Sequence, residues 1–305
     1  MKRLLLIILI VAGTKTLAEA SGIGLKFPPT ARSYALGESL VSNPETGAES
    51  IYFNPAGLAN INPQPITTSS HHHINPLSHL EFMFYDGVLD TFYNCLSYAK
   101  KVKPDTGVGI SLGVLDAGKA DIYEFDGSER SISALKDTYL TFAAGKKITV
   151  NLDAGLGIKF ISSTLAEEYK ANGFALDMGI LYSGLWNALP VSVGACLQNI
   201  GTGLKYETEK SSLPTNIRIG GAVKLKEMEF MAAANKDNKG LKVGLGVEYY
   251  PLSYLALRAG YKTGYDNQGI SLGFGLRQGI MDISYAYAPI KGLDSAHRVS
   301  LNISY

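Results

Sequence analysis

The residues in this 305-residue sequence that could do chemistry are charged side chains at alternate positions. Asp153, Lys159, Asp177, Arg218, Lys224, Lys242, Glu248, Arg258, Arg277, Asp282 and Arg298 lie in runs where apolar residues alternate with polar or tiny ones. Alternation sends neighbouring side chains to opposite faces of a strand, so these charges share the polar face of a sheet. Two readings fit them. Charges with restricted hydration need partners, which makes them a network of ion pairs. Alternatively they form a selectivity surface for an anion. Arg258, Arg277 and Arg298 would then hold a carboxylate, which guanidinium binds in a two-pronged manner.

Other motifs carry less. Asn54-Pro55-Ala56-Gly57 reads as a turn, in which Asn satisfies local backbone groups, Pro fixes φ and Gly allows unusual dihedrals. It is either a structural corner or a gate. His71, His72, His73 and His79 invite a metal, since His71 and His73 share a strand face. No Cys or carboxylate nearby completes a tetrahedral site, so they read as solvated loop histidines, with no metal and no cofactor expected. A hydrolase needs an activated nucleophile with a base in reach. Four of the five histidines crowd one loop, and there is no Gly-x-Ser-x-Gly. No Gly-rich phosphate loop leads a strand into a helix. The chain therefore reads as a non-enzyme. Its 28 basic and 27 acidic residues leave no excess charge to hold nucleic acid. Cys95 and Cys196 fall mid-strand in distant strands and read as free, buried thiols.

The elements that must position these groups are clearest in residues 240–305. Val243, Leu245, Val247 and Tyr249 alternate with Lys242, Gly244, Gly246 and Glu248. Similar alternation recurs through Leu255–Lys262, Ile270–Arg277, Asp282–Tyr287 and Arg298–Tyr305. Successive strands with short connections make an antiparallel meander, which suits a secreted sandwich or a membrane barrel. Three details favour the barrel. The strands have about ten residues, enough to cross a bilayer at the usual tilt. Tyrosines fall near strand ends, as in an interfacial girdle. The last residue, Tyr305, places an aromatic in the final strand, the signal that barrel insertion machinery reads.

The N-terminus reads as a secretory signal peptide over residues 1–20. It has Lys2 and Arg3, an apolar run from Leu4 to Ala12, and Ala18-Glu19-Ala20 as the cleavage site. The mature chain is expected to start at Ser21 and to enter the bacterial outer membrane. Residues 21–62 do not alternate and hold a helical possibility at 31–40. Candidate strands follow at 63–73, 79–86, 91–102, 107–117, 136–146, 149–163, 172–182, 189–199, 214–225, 227–235, 240–250, 253–263, 268–277, 279–287 and 297–305. Single-chain barrels have an even number of strands. The segment 79–86 has Pro76 just ahead and poor alternation; dropping it leaves fourteen. The short connections then fall at one end, the periplasmic one, and the long ones (74–90, 118–135 and 200–213 among them) at the other. The expected fold is all-β: a transmembrane antiparallel β-barrel of about 14 strands over 63–305. Its lumen is wider than the filled interior of an eight-stranded barrel. Residues 21–62 are the expected plug.

Within that plug lie Ala31-Arg32-Ser33-Tyr34-Ala35-Leu36-Gly37 and Ala48-Glu49-Ser50-Ile51-Tyr52-Phe53-Asn54-Pro55-Ala56-Gly57-Leu58-Ala59. Further on come Leu197-Gln198-Asn199-Ile200-Gly201, Leu213-Pro214-Thr215-Asn216-Ile217-Arg218-Ile219-Gly220, Leu257-Arg258-Ala259-Gly260-Tyr261-Lys262, Tyr285-Ala286-Tyr287-Ala288-Pro289 and His297-Arg298-Val299-Ser300-Leu301. In order and spacing this resembles the PorV/PorQ family of outer-membrane proteins, themselves similar to FadL-type fatty-acid channels. The common Gly-Gly after Leu36-Gly37 is Glu38-Ser39 here, and the first external connection looks longer. The resemblance implies a fourteen-stranded barrel with an N-terminal hatch. It implies one of two roles. PorV-type members assist type IX secretion, with secreted proteins or secretion-system subunits as partners at external loops. FadL-type members pass hydrophobic small molecules, which would call for an apolar pocket near Phe53 and Leu58. The first is the leading expectation and the second its alternative. Outer-membrane lipid and the insertion machinery are partners in both, and nucleic acid in neither.

Overall fold

The computed structural model describes residues 22–61, 77–87, 90–123, 129–207, 209–264, 269–289 and 295–305. The expected signal peptide, His71 to His73 and the candidate strand 63–73 lie outside these residues. The strands are β1 (Ser78–Asp86), β2 (Phe92–Lys103), β3 (Thr106–Asp116), β4 (Lys119–Tyr123), β5 (Glu129–Ser133), β6 (Leu135–Lys147), β7 (Leu152–Leu165), β8 (Tyr169–Trp186), β9 (Leu189–Gly201), β10 (Leu204–Tyr206), β11 (Glu209–Ser211), β12 (Asn216–Leu225), β13 (Met228–Asp237), β14 (Gly240–Leu252), β15 (Leu255–Thr263), β16 (Ile270–Gln278), β17 (Met281–Ala288) and β18 (Ala296–Ser304).

Fourteen of them close into one antiparallel barrel, in the order β1-β18-β17-β16-β15-β14-β13-β12-β9-β8-β7-β6-β3-β2. The other four form two hairpins, β4 with β5 and β10 with β11, inside connections that sequence alternation left as loops. The ring closes where β1 meets β18, with Phe82 opposite Leu301 and Phe84 opposite Val299. Ser78 N donates to the Tyr305 carbonyl at 2.8 Å, and Tyr305 N returns a bond to Ser78 at 3.0 Å.

This closure corrects one expectation. The segment set aside as the weakest strand, 79–86, is the first strand of the barrel. Its pattern alternates once Glu81 is accepted as an inward residue: Glu81, Met83 and Tyr85 are buried, while Phe82 and Phe84 face out. A carboxylate on the core face made the pattern look poor. The first connection of the ring is therefore the short 87–91 rather than 74–90, and His79 belongs to a strand rather than a loop.

Large apolar side chains, among them Leu96, Ile110, Leu112, Phe142, Ile158, Phe160, Ile180, Leu245 and Leu272, are exposed on the outer face. An exposed apolar belt of this kind suits the hydrocarbon of a bilayer. The connections at one end are short turns, as at 187–188, 226–227 and 279–280. At the other end, 117–134 and 202–215 carry the hairpins. By the asymmetry of such barrels the turn end is periplasmic and the hairpin end external. Cys95 and Cys196 are free and buried, as the sequence suggests.

Candidate functional site

Residues 22–61 form short helical pieces rather than strands. A helix at Ala31–Ala35 is capped by Thr30, whose hydroxyl accepts from Ser33 N at 3.0 Å. Another covers Ser50–Phe53, and a 3-10 helix follows at Pro55–Asn60. These pieces touch β15, β16, β17 and β18 on one side and β3, β6, β7 and β8 on another. The turn at Leu40–Ser42 meets β9, β12 and β13, and that at Gly47–Glu49 meets β1 and β2. A segment in contact all round a closed ring lies inside it.

Glycines on the inner wall permit this fit. A Cβ added at Gly155 would overlap the backbone of Pro55 and Ala56, and one at Gly194 would overlap the carbonyl of Val41. The wall thus meets backbone with backbone, which no larger residue allows at such spacing.

Polar side chains then pin the segment. Gly24 N donates to Asp137 Oδ2 at 3.0 Å, and Ala31 N to Ser300 Oγ at 3.2 Å. Ser271 Oγ donates to the Ala35 carbonyl at 3.0 Å. Gln198 Nε2 donates to the Tyr52 carbonyl. Asn54 is the most committed of all. Its Oδ1 accepts from Ala56 N at 3.1 Å, while its Nδ2 donates to the carbonyls of Val41 at 2.9 Å and Ile180 at 3.0 Å. Pro55 opens the 3-10 helix. Gly57 needs no positive φ; a Cβ there would strike Ser50 Oγ, so glycine serves close packing and not an unusual dihedral.

The predicted inward charges are placed as follows. Asp153 accepts from Asn60 Nδ2. Lys159 pairs with Asp177 at 2.7 Å and donates to Asn199 at 2.7 Å. Glu248 lies between Arg32 of the inner segment and Arg258 of the wall, at 2.7 Å from each. Lys242 meets Asp237 at 2.9 Å, a residue that Lys26 of the segment also reaches, at 3.3 Å. Arg218 donates to the Tyr52 hydroxyl at 3.3 Å and lies over the rings of Tyr52 and Phe53. Lys224 and Arg277 are more exposed, with Glu45 at 3.1 Å and Asp282 at 3.6 Å. Arg298 is buried over the rings of Tyr34 and Tyr85, 3.7 and 4.4 Å from their centres. Some of these pairs join neighbouring wall strands and others bridge wall and segment. Arg258 pairs with Glu248 and Arg277 with Asp282 beside the periplasmic cavity, while Arg298 lies over aromatic rings toward the other end, so the three are not gathered at one anion site.

Sequence reasoning missed the partners supplied by the segment itself. Glu38, in the position that breaks the Gly-Gly pattern, accepts from Lys262 Nζ at 2.8 Å. Burial pushes the Glu38 carboxyl up, but Lys262 and then Arg218 outweigh it and hold it below its ordinary range. The visible signal was the departure from Gly-Gly: a glutamate facing a sheet rich in cations.

On the side of β1, β2, β3, β6 and β7, the external half of the lumen holds an apolar and aromatic cluster, beside charges such as Arg298, Lys262 and Lys242. Leu25, Tyr85, Tyr93, Leu115, Tyr139 and Ile161 are buried in one cluster there, with Phe27 packed against Tyr85 and Tyr93. The hairpin of β10 and β11 covers it: Leu204 and Leu213 join the cluster, and Tyr206 Oη donates to Ser163 Oγ at 2.7 Å. Phe53 and Leu58 are fully buried and line neither of the large cavities. One of those cavities, about 780 Å³, is a depression on the outward face around Gly221, Ala232 and Ala259. Another, about 350 Å³, opens at the periplasmic end between segment and wall.

No family model matches the chain and no curated protein matches it, so its similarities are those of fold. The crystal structure of the Pseudomonas putida toluene transporter TodX superposes with a TM-score of 0.60 at 12% identity, covering 95% of this chain and 99% of that one. A TodX deltaS2S3 mutant, a monoaromatic hydrocarbon channel, gives 0.59 at 12% identity, over 90% and 98%. A Pseudomonas aeruginosa FadL homologue gives 0.54 at 12% identity, again over 90% and 98%. At such identity the likeness shows the fold alone, a closed fourteen-strand barrel.

Proposed function

We propose that this chain is an outer-membrane channel for hydrophobic small molecules, held shut at rest by residues 22–61. The observation that carries the reading is the fold-wide likeness to a toluene transporter, which spans nearly the full length of both chains. Two features of this chain agree with it. One sector of the external half of the lumen is built of apolar and aromatic side chains, the kind of lining an apolar solute requires once the segment moves. The segment is held to the wall by discrete hydrogen bonds and ion pairs and is not a strand of the ring.

The alternative, a surface role in protein secretion, has less behind it. The TodX neighbours are named for hydrocarbon transport, and the β10–β11 hairpin packs over the lumen where a docking loop would project. The reading has a direct test. Cells in which this chain is the added outer-membrane channel should take up labelled toluene faster than cells without it. An uptake rate equal to the control, with folded barrel present, would remove the proposal.

A further inference from the structure

The rim at the periplasmic end is uneven in charge. Residues 100–108, where β2 turns into β3, and 144–153, where β6 turns into β7, hold Lys100, Lys101, Lys103, Lys146 and Lys147 against Asp105 and Asp153. Asp153 is buried and accepts from Asn60. Asp105 is 3.9 Å from Lys146, with both side chains exposed, so that pair balances little. The connection 62–76 contains no Asp or Glu to make up the difference. Both its ends lie in this sector: a Cβ on Gly107 would be 3.2 Å from Ile61, and the Leu77 carbonyl accepts from Lys101 N at 2.8 Å. Elsewhere on the rim Lys226 is next to Glu227, and the turns 187–188, 253–254 and 279–280 carry no charged residue.

Strand parity turns Lys100 outward with Leu96 and Val102 on β2, and Lys146 outward with Phe142 on β6; all five are exposed. Lys100 is opposite Val108 of β3, and Lys146 is opposite Thr106. The two lysines thus flank β3, two strand spacings or about 10 Å apart, and their flexible stems can bring both to one phosphate. Val108 and Ile110 carry the outward face of β3 from there into the apolar belt. Val102, Ile148 and Val150 stand among the lysines, 50%, 57% and 93% exposed. A soluble anion would leave these aliphatic groups in water. A phospholipid answers both chemistries, with a phosphate for the ammonium groups and an acyl chain for the aliphatic ones. Lysines at the edge of a bilayer extend their charge toward its headgroups.

We propose that this face holds an anionic phospholipid of the adjoining leaflet, its phosphate between Lys100 and Lys146 and an acyl chain along Val108 and Ile110. The site does not depend on what the lumen carries. Native mass spectrometry of the purified full chain in neutral detergent reads it, with dihexanoyl phosphatidylglycerol as the probe and dihexanoyl phosphatidylcholine as the zwitterionic control. Phosphatidylglycerol should bind roughly twentyfold more tightly, at about fivefold for each of the two lysines. Lys100→Gln combined with Lys146→Gln should remove that preference and leave phosphatidylcholine unchanged. The matched control is Lys136→Gln combined with Lys170→Gln, a pair that flanks Thr164 in the same way at the external rim. It should keep the preference. No preference in the wild type, an equal loss in the two double variants, or displacement of phosphatidylglycerol by less glycerol 3-phosphate or polyglutamate than lipid would each overturn the proposal. Should the first double variant fail to fold, the wild-type preference and the two competitors decide alone.

Discussion

At the scale of single residues, the bond between Glu38 and Lys262 is the sharpest test of what holds the inner segment in place. Both groups are buried, and each is the other's counter-charge at 2.8 Å. Removing one member of such a pair leaves a charge stranded, at about 3–5 kcal/mol. Lys262→Met should therefore loosen residues 22–61 more than the double variant with Glu38→Gln, in which no charge is stranded. Limited proteolysis of the segment in a barrel that still shows heat-modifiable mobility would measure this. The pH dependence follows from the sign. A carboxyl held below its ordinary range stabilises the docked segment above that range, and the contribution is lost as pH falls through the lowered value. Wild-type docking should weaken on acidification below about pH 4, with a smaller change in Glu38→Gln. How far this was legible in the sequence differs between partners. Strand parity identified the wall charges, such as Lys159, Asp177, Glu248 and Arg258. Parity says nothing of a segment without periodicity, so Arg32, Glu38 and Glu49 could not be assigned to them. Glu81 escaped because its own polarity spoiled the pattern that would have placed it.

At the scale of elements, most strands were readable because each alternates over a full crossing, and the exceptions have causes. The strand Ser78–Asp86 carries a glutamate and a histidine on its inner face. The hairpins β4–β5 and β10–β11 are too short for a period to emerge, at five and three residues per strand. The closing strand bears a prediction of its own. β18 pairs with β1 on one side and β17 on the other, so Ile303 faces both Leu80 and Met281. Deleting residues 303–305 removes the last rungs of the seam and leaves backbone unpaired where hydrocarbon cannot satisfy it. The expected outcome is loss of folded, heat-modifiable barrel; normal levels of it would contradict the closure described. The wall glycines give the complementary case. Gly194→Val puts a branched side chain where the Val41 carbonyl lies. It should displace the turn at Leu40–Ser42 and raise protease cleavage there, while the outward face and the barrel itself remain intact.

At the scale of the whole molecule, the question is what the enclosed segment does to a lumen whose walls are charged, with an apolar and aromatic cluster in one sector of its outer end. A fourteen-strand ring is too wide for its wall side chains alone to fill. The segment supplies much of the rest, leaving the cavity of about 350 Å³ at the periplasmic end and a void of about 10 Å³ by Tyr52, Tyr139 and Lys159. With the segment in contact with strands all round the ring, the lumen is expected to hinder ions. The intact chain in a planar bilayer should conduct little. A variant lacking residues 22–61 should open a wide, ion-conducting pore, because Lys159, Asp177, Glu248 and Arg258 would then face water. Its charges of both signs predict weak preference between small cations and anions. Toluene uptake should respond differently: in that variant it should rise without saturation, since a water-filled pore admits solutes without a binding step. Deleting 121–133 from the intact chain should leave uptake unchanged, because the β4–β5 hairpin forms its own two-stranded sheet apart from the ring. If that deletion abolished uptake, or if the intact chain conducted as freely as the shortened one, residues 22–61 would not be the barrier.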